Sequence, residues 1–407
     1  MLFQYAPLPP PLDLAGTKRN LPFLRENLKR HEVSVLSYGT LEDKKKFDQS
    51  IGKFCKHVVF VDANRPFIIK RLMQLWLLVT GRSTFGQFYR RKMQRQLDEL
   101  ISLEKFDLVH CCTQFFGYFR FPEELRVISD THEITYDLMR RTYKQTKKMT
   151  KKLFGFVQYK LGKREELRLC RKFDAIIATT KRDEEVFRTH LPNQKIFVVQ
   201  NGVDASFLER QDVEPEQRTM VFTGMMRYYP NNHGILFFLD EIFPRILAQA
   251  SDSRLYVVGA HPTSELLKRS SEQVIVTGFV EDVRPYMARG VVFIIPLWIG
   301  GGIRGKALEA MAMRKPIVTT SIGCEGINLK HEDSALFADT PQEFAASVVR
   351  LFNDQALRTR LGEKAHENVI TGYNWKTKGE ELERVYQTVL LKGIAHRAPQ
   401  EYSFTRL

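Results

Sequence analysis

Residues 296–326 read PLWIGGGIRGKALEAMAMRKPIVTTSIGCEG. An apolar run that ends at Pro296 leads into three consecutive glycines, and a helical pattern follows from about Gly305 to Met313. A glycine-rich loop that enters a helix exposes backbone N–H groups and the positive end of the helix dipole. This stretch therefore predicts a strand, a loop and a helix that together favour an anion, typically a phosphate group.

Three charged residues stand at the start of this helix. Arg304 and Lys306 place two positive charges beside the predicted anion site, and Glu309 follows one turn later. A carboxylate near a phosphate is unfavourable unless it has another task, such as accepting hydrogen bonds from ribose hydroxyls. A solvated helix N-terminus with incidental charges is the alternative interpretation. The convergence of glycines, cations and one carboxylate over so short a segment favours a ligand site.

The rest of the chain alternates short apolar runs with polar stretches of helical length. That alternation is typical of parallel sheets covered by helices on both faces. Because the chain has 407 residues and the pattern occurs twice, it predicts an α/β protein with two doubly wound Rossmann-like domains. The polar segment 208–218 marks the boundary. We expect one domain over residues 1–210, a second over 211–373, and a C-terminal helix and tail over 374–407.

Three predicted strands of the second domain end in glycine, at Gly224, Gly259 and Gly278. Ligands of doubly wound sheets bind outside the carboxyl ends of the strands, and glycine lets a backbone approach a ligand closely. A tight turn is the simpler explanation for any one of these glycines. Three in corresponding positions indicate a ligand crevice.

Cysteine usage and hydropathy indicate a cytoplasmic protein. The five cysteines fit neither a disulfide framework nor a metal-ligand spacing, as expected for reduced thiols. Residues 2–6 are a short apolar run without the features of a secretory signal, and they are expected to form the first strand. The longest apolar run, residues 72–80, is half the ~18 residues that a membrane span needs.

The segment 296–326 resembles the signature of glycosyltransferase family 4, also called the group 1 glycosyltransferases, which have the GT-B fold. The similarity extends over most of the chain. Residues 201–204 resemble the turn near the end of the first domain, residues 222–231 the opening strand of the donor domain, and residues 278–286 its base-binding strand and loop. The resemblance implies two domains facing a central cleft, with a final helix, beginning at Trp375, that crosses back to the first domain.

The resemblance also implies a donor-binding set. Glu309 fills the second position of the family's Glu-x7-Glu pattern, which contacts the donor ribose, whereas Gly301 replaces the first Glu, which touches the donor sugar. Relatives carry a lysine shortly after the arginine that corresponds to Arg227. This chain has none, so Arg304 and Lys306 are expected to supply that charge. The implied set is Gly224, Arg227, Gly259, Gly278, Phe279, Val280, Gly301, Gly302, Ile303 and Glu309.

Two further candidates lie in the first domain. Residues 12–16 resemble the loop after the first strand that, in relatives, approaches donor phosphate or acceptor, and Gly16 is the residue expected there. The sequence Asp-Thr-His-Glu at 130–133 ends an apolar strand and matches a strand end that relatives use near the acceptor. A lone histidine is more often structural, but His132 is flanked by two carboxylates. We therefore rank it with Arg304 and Lys306 as a candidate catalytic residue.

The resemblance implies a retaining transfer in which the donor phosphate helps to deprotonate the acceptor. Arg304, Lys306 and the loop amides would stabilise the charge that develops on the departing nucleoside diphosphate. No Asp-x-Asp pair stands at a plausible strand end, so neither a metal nor another cofactor is expected. The nucleotide base, the sugar and the acceptor are not legible in the sequence. An enzyme acting on a small metabolite and a non-catalytic nucleotide-sugar-binding subunit are the alternatives.

The positive charge is confined to the first half. The chain carries +15 overall, yet residues 211–373 hold 17 Lys and Arg against 19 Asp and Glu, and residues 374–407 hold six against four. Residues 65–95 and 140–172 are rich in Lys, Arg and apolar side chains. Such segments can form a solvated face or bind an anionic membrane surface, and no nucleic-acid-binding motif accompanies them. We expect peripheral attachment to the inner membrane face, with a lipid-linked, saccharide or other acceptor.

Overall fold

The computed structural model describes residues 2–5, 15–62, 66–146 and 148–391. They form two compact units. The first unit comprises the described residues up to Gln200 together with those from Lys378 onward, and the second unit spans Asn201–Thr377.

Seven parallel strands form the sheet of the first unit within the described residues, in the order β3-β2-β1-β4-β5-β6-β7. Strands β2, β4 and β6 are buried along their whole length, as expected for a sheet covered on both faces. The strands are β1 (Leu2–Tyr5), β2 (Ser34–Tyr38), β3 (Val58–Val61), β4 (Leu108–Cys111), β5 (Arg126–Thr131), β6 (Ala175–Ala178) and β7 (Ile196–Val198).

The helices of the first unit connect these strands. Their ends follow local sequence signals: Thr40 and Asp43, for example, form a capping box at the start of the second helix. The helices are α1 (Ala15–Leu28), α2 (Leu41–Gln49), α3 (Phe67–Val79), α4 (Arg91–Leu103), α5 (Thr135–Gln145), α6 (Met149–Cys170) and α7 (Lys181–His190).

The second unit contains a parallel sheet of six described strands in the order β10-β9-β8-β11-β12-β13. The central strand β11 is entirely buried because its sequence, GVVFII, has no polar side chain to expose. The strands are β8 (Glu216–Thr223), β9 (Arg254–Val258), β10 (Val274–Gly278), β11 (Gly290–Ile295), β12 (Ile317–Thr319) and β13 (Leu336–Phe337).

Helices cover this second sheet, and the helix predicted from about Gly305 to Met313 is confirmed as Gly305–Ala312. The described helices are α8 (Tyr229–Phe237), α9 (Phe243–Leu247), α10 (Ser264–Leu267), α11 (Arg284–Arg289), α12 (Gly305–Ala312), α13 (Pro341–Asn353), α14 (Gln355–Gly372) and α15 (Trp375–Leu391). The predicted fold class, two doubly wound parallel sheets, is confirmed. No helix in the described ranges is both long enough and apolar enough to cross a bilayer.

The strand order places a switch point in each sheet. In the second unit the chain proceeds from β8 outward through β9 and β10, then returns to β11 on the other side of β8. Open parallel sheets bind ligands outside the carboxyl ends of the strands at such a reversal. The carboxyl ends of β8 and β11 are therefore where the fold favours a ligand.

The boundary between the units falls at Gln200, before the polar segment 208–218 expected to mark it. Backbone pairing explains the shift, since Val203 N donates to Tyr373 O at 2.8 Å and Val203 pairs with Asn374 within the second unit. Helix α15 passes from the second unit into the first. Its buried Tyr386 hydroxyl there lies 2.7 Å from His110 Nδ1.

Candidate functional site

The three strand-end glycines of the second unit lie side by side, because β8, β9 and β10 are neighbours in the sheet. Gly224 N donates to Val258 O at 2.9 Å, and Gly259 N donates to Gly278 O at 3.1 Å. The φ angle of Gly259 is +145°, and a Cβ there would lie only 1.9 Å from the carbonyl oxygen of Gly224. Close approach of two backbone turns, and not loop flexibility, therefore requires glycine at position 259.

The glycine-rich loop after β11 wraps around the side chain of Arg304. The guanidinium donates from Nη1 to Gly301 O at 2.6 Å and to Gly302 O, and from Nη2 to Ile322 O at 3.1 Å. A Cβ on Gly300 would lie 2.3 Å from Nη2, so the position of the guanidinium also requires glycine at residue 300. Arg304 is buried. The structure thus places it where the sequence predicted positive charge, and shows that it holds the loop in shape.

Lys306, in the first turn of α12, places its ammonium at the carboxyl end of β8. Its Nζ donates to Asn231 Oδ1 at 2.9 Å and lies 3.9 Å from the centroid of the Phe222 ring. Asn231 Nδ2 donates to Met225 O at 3.0 Å, which fixes the amide with its oxygen toward the lysine. A Cβ on Gly224 would meet Nζ at 2.8 Å, so glycine also leaves room for this ammonium.

Two helix N-termini meet at this point, because Asn231 stands in the first turn of α8 and Lys306 in the first turn of α12. Helix α8 packs over the end of β11: a Cβ on Gly234 would lie 2.2 Å from Pro296 O. Helix N-termini favour anions through their N–H groups and dipoles. Together with the ammonium of Lys306, they make the switch point of this sheet a positive site suited to a phosphate group.

The other predicted donor-site residues differ in how far they are buried. Glu309 is buried one turn along α12 from Lys306. Phe279, directly after β10, is 56% exposed, and Arg227 is exposed as well. Val280 and Ile303 are half-buried and pack against the core of the unit. Among the described residues, no group of three or more His, Cys, Asp or Glu side chains is arranged to hold a metal ion.

In the first unit, the strand end 130–133 is organised by a buried ion pair. Arg19 Nε donates to Asp130 Oδ2 at 2.9 Å, and its Nη2 donates to Asp130 Oδ1 at 2.7 Å and to Val199 O at 2.9 Å. Burial alone would raise the pKa of Asp130, but the Arg19 charge and a hydrogen bond from His110 hold that pKa well below its usual range. Of the two carboxylates that flank His132 in the sequence, that of Asp130 is therefore paired with Arg19.

His132 itself is held by Asn20, whose Oδ1 lies 3.0 Å from the imidazole Nε2. Burial, with a smaller contribution from the Arg19 charge, lowers the pKa of His132 to about 4 against the opposing effect of Asp130. The ring is therefore neutral near pH 7. Gly16 falls within the first turn of α1, not in a loop, and residues 12–14 lie outside the described residues.

Sequence reasoning missed Asn231, Phe222 and Arg19. Asn231 and Phe222 stand inside the segment 222–231 that resembles the opening strand of the donor domain, and an asparagine directly after a proline at a helix start is a usable signal. Arg19 carries no such signal. Its partner Asp130 is 111 positions away along the chain, so only the fold brings them together.

Comparison with known families divides this chain between residues 207 and 217, within the polar segment 208–218. Residues 23–207 match the model of Glycosyltransferase Family 4, and residues 217–354 match the model of Glycosyl transferases group 1. Over 94% of this chain, an uncharacterized glycosyltransferase of Methanocaldococcus jannaschii, MJ1607, is 23% identical, and the match covers 96% of that relative.

Solved structures resemble the chain along nearly all of its length. Sucrose-phosphate synthase from Thermosynechococcus elongatus superimposes with a TM-score of 0.68 at 15% identity, covering 96% of this chain and 99% of that one. Anabaena Alr3699/HepE, in complex with UDP-glucose, gives a TM-score of 0.67 at 14% identity, covering 95% of this chain and 100% of that one. At such identities the likeness establishes the fold.

Proposed function

We propose that this chain moves a sugar from a nucleotide-diphosphate sugar onto an acceptor. The reason is that it belongs to glycosyltransferase family 4, the group 1 glycosyltransferases with the GT-B fold. One observation carries the proposal. The Lys306 ammonium and the N-termini of α8 and α12 converge at the carboxyl end of β8. That is where a doubly wound sheet binds its ligand, and the local charge suits a diphosphate.

The chemistry of the donor explains why such a site would accelerate transfer. Breaking a bond between a sugar and a diphosphate leaves negative charge on the departing phosphate. Lys306 and the helix N–H groups would stabilise that charge more strongly in the transition state than in the ground state. Arg304 would act one step removed, by holding the carbonyls of Gly301 and Gly302 away from the phosphate so that the loop amides face it.

Donor recognition is proposed for the residues around this point. Glu309 would accept hydrogen bonds from the ribose hydroxyls, and the exposed Phe279 with Val280 would line the base. HepE, which shares the fold, has been seen with UDP-glucose, and this supports a nucleotide sugar as donor. Transfer would retain the anomeric configuration, with the donor phosphate helping to deprotonate the acceptor. It would need no metal and no other cofactor.

The acceptor belongs to the first unit in this proposal. His132 would face it as a ring that is neutral near pH 7 and can form a hydrogen bond with an acceptor hydroxyl. We propose a saccharide or lipid-linked acceptor in polysaccharide or glycolipid assembly, reached in the cytoplasm or at the inner face of the membrane. A small metabolite would be the acceptor in the alternative enzyme. Nucleic acid is not part of the proposal.

A second candidate function follows from Gly301. Because glycine stands where relatives have the Glu that touches the donor sugar, a subunit that binds nucleotide sugar without transferring it is the alternative. The two candidate functions differ in whether the sugar is transferred, whereas both predict that the protein binds the nucleotide sugar.

The test offers UDP-, GDP- and ADP-sugars to the protein and measures released nucleoside diphosphate, with and without membrane extract. Release that needs the extract and disappears in the Lys306→Ala variant supports transfer to a membrane-borne acceptor. Release with soluble acceptors alone indicates the small-metabolite enzyme. A thermal shift with a nucleotide but no release under any condition contradicts the proposed transfer and favours the binding subunit.

A further inference from the structure

The first unit exposes large apolar side chains on two helices. The first two turns of α6 project from the unit, and along them Met149 is 75% exposed and Leu153 66% exposed. Helix α3 carries a second group. The set, which we call the apolar surface, comprises Ile68, Ile69, Leu72 and Trp76 of α3 and Met149, Leu153, Phe154, Phe156 and Val157 of α6. Exposed apolar side chains that form a contiguous patch on a folded protein mark an interaction site.

One segment joins the two helices that carry this surface. A Cβ on Gly86 would lie 2.9 Å from the Leu77 side chain of α3, and one on Gly162 of α6 would lie 3.1 Å from Phe85. Thr84 Oγ1 also donates to Gln158 Oε1 of α6 at 3.1 Å. Because residues 84–86 contact both helices, they connect α3 with the middle of α6. Leu77 itself is buried and holds α3 in place.

Helix α6 changes character along its length. A Cβ on Gly155 would lie 2.7 Å from Tyr143 Cβ, so α5 packs closely against α6 there. From Gln158 onward α6 buries one side, whereas residues 148–154 are exposed all around. The exposure of Leu153 (66%) and Phe154 (53%) to water costs free energy. They are explained if a partner covers them.

The charge around the tip of α6 identifies the partner. Residues 138–164 hold ten Lys and Arg and no Asp or Glu. Lys148, Lys151 and Lys152 are exposed among the apolar side chains, and Lys160 Nζ lies 5.6 Å from the centroid of the Phe156 ring. An anionic bilayer offers both an apolar interior and a negative surface. Nucleic acid offers the charge but gives Met149 and Leu153 nothing apolar to enter.

We propose that the apolar surface and the lysines of α6 dock the first unit onto an anionic lipid bilayer, with α6 entering the interface by its first two turns. Attachment draws on charge and on apolar insertion at once, so it weakens with salt and fails on neutral lipid. The proposal deepens the proposed function by giving a lipid-linked acceptor a place of delivery. The two proposals can be tested separately, since docking needs no nucleotide sugar.

The test is co-sedimentation of the full chain, without nucleotide, on vesicles of phosphatidylcholine alone or mixed with phosphatidylserine, at low and at high salt. We expect binding to the mixed vesicles at low salt and release at high salt. Changing Lys148, Lys151 and Lys152 together to Glu should weaken partitioning by about 100-fold or more, because each lysine contributes a factor of about five. Leu153→Ser with Phe154→Ser should weaken binding without changing its salt dependence.

The matched control changes three exposed lysines of the second unit, Lys268, Lys330 and Lys376, to Glu. It alters net charge by the same amount and should leave vesicle binding unchanged. All substituted side chains are exposed, so unfolding temperatures should agree among the variants. Equal binding by the α6 variant and wild type, equal binding to neutral vesicles, or binding to RNA in place of vesicles would overturn the proposal. Nucleoside diphosphate release without membranes tests the proposed function separately.

Discussion

Lys306 Nζ donates a hydrogen bond to Asn231 Oδ1 at 2.9 Å, which ties the first turn of α12 to the first turn of α8. The contact sets the position of the Lys306 ammonium at the switch point of the second sheet. It also fills the space beside Gly224, where any side chain would displace the ammonium. In the proposed function, this ammonium of α12 provides the positive charge for the donor diphosphate.

Lys306→Ala should lower turnover by roughly 10²–10³-fold, the scale of losing one donor that stabilises transition-state charge. The measurement is steady-state release of nucleoside diphosphate. Asn231→Ala is the matched variant, since it removes one hydrogen bond to the ammonium but keeps the charge, and it should lower turnover less. Wild-type turnover in Lys306→Ala would refute the assigned role.

Arg304→Lys should behave almost like Arg304→Ala, because one ammonium cannot replace a fork that bonds the carbonyls of Gly301, Gly302 and Ile322. Both variants should lower the free energy of unfolding by about 1–3 kcal/mol, the cost of buried carbonyls left unpaired, and should weaken nucleotide binding. Urea unfolding and calorimetry provide the two readouts. If Arg304→Lys keeps full affinity, charge matters there and loop geometry does not.

Glu309→Gln should weaken binding of the cognate nucleoside diphosphate by ~1.5–3 kcal/mol, the worth of a charged acceptor for hydroxyl hydrogen bonds. Titration calorimetry with uridine, guanosine and adenosine diphosphates would identify the base and measure the loss together. Glu363→Gln, on the exposed side of α14, is the control and should bind like wild type. Unchanged affinity in Glu309→Gln would leave Glu309 as a helix residue only.

Gly259→Ala and Gly278→Ala form a matched pair at neighbouring strand ends. At Gly278 the φ angle is +70° but the space is open, so alanine should cost only the ~1–2 kcal/mol of a left-handed backbone. At Gly259 the added Cβ would also clash with the backbone of Gly224. We therefore expect a larger loss in the free energy of unfolding, together with loss of nucleotide binding. Equal unfolding free energies for the two variants would contradict the close approach of these turns.

His132 should remain neutral as the pH falls to about 5, because its pKa is lowered to about 4 in the folded protein. An unfolded chain binds a proton at this histidine below about pH 6.5, so its contribution to stability is complete above that value and is lost as the pH falls toward 4. Urea unfolding at pH 5 and 7 should show a smaller pH effect in His132→Gln than in wild type. Histidine NMR signals, assigned with the same variant, would reveal an earlier protonation if the expectation is wrong.

The sequence by itself determined the alternation of strands and helices, the three strands ending in glycine and the helix from Gly305. Each of these depends on residues that are neighbours along the chain: hydrophobic period, turn chemistry and helix starts are local signals. The glycine-rich loop and its charges are legible for the same reason, because all of them lie within residues 300–309.

The tertiary structure alone decided what those charges do. Arg304 turns to its own loop and to Ile322, while Lys306 reaches Asn231, 75 positions away. Arg19 pairs with Asp130, one of the two carboxylates that flank His132, across a separation of 111 positions. Such pairings depend on which strands lie side by side and on which side chains are buried together, because a buried charge must find a partner wherever packing provides one.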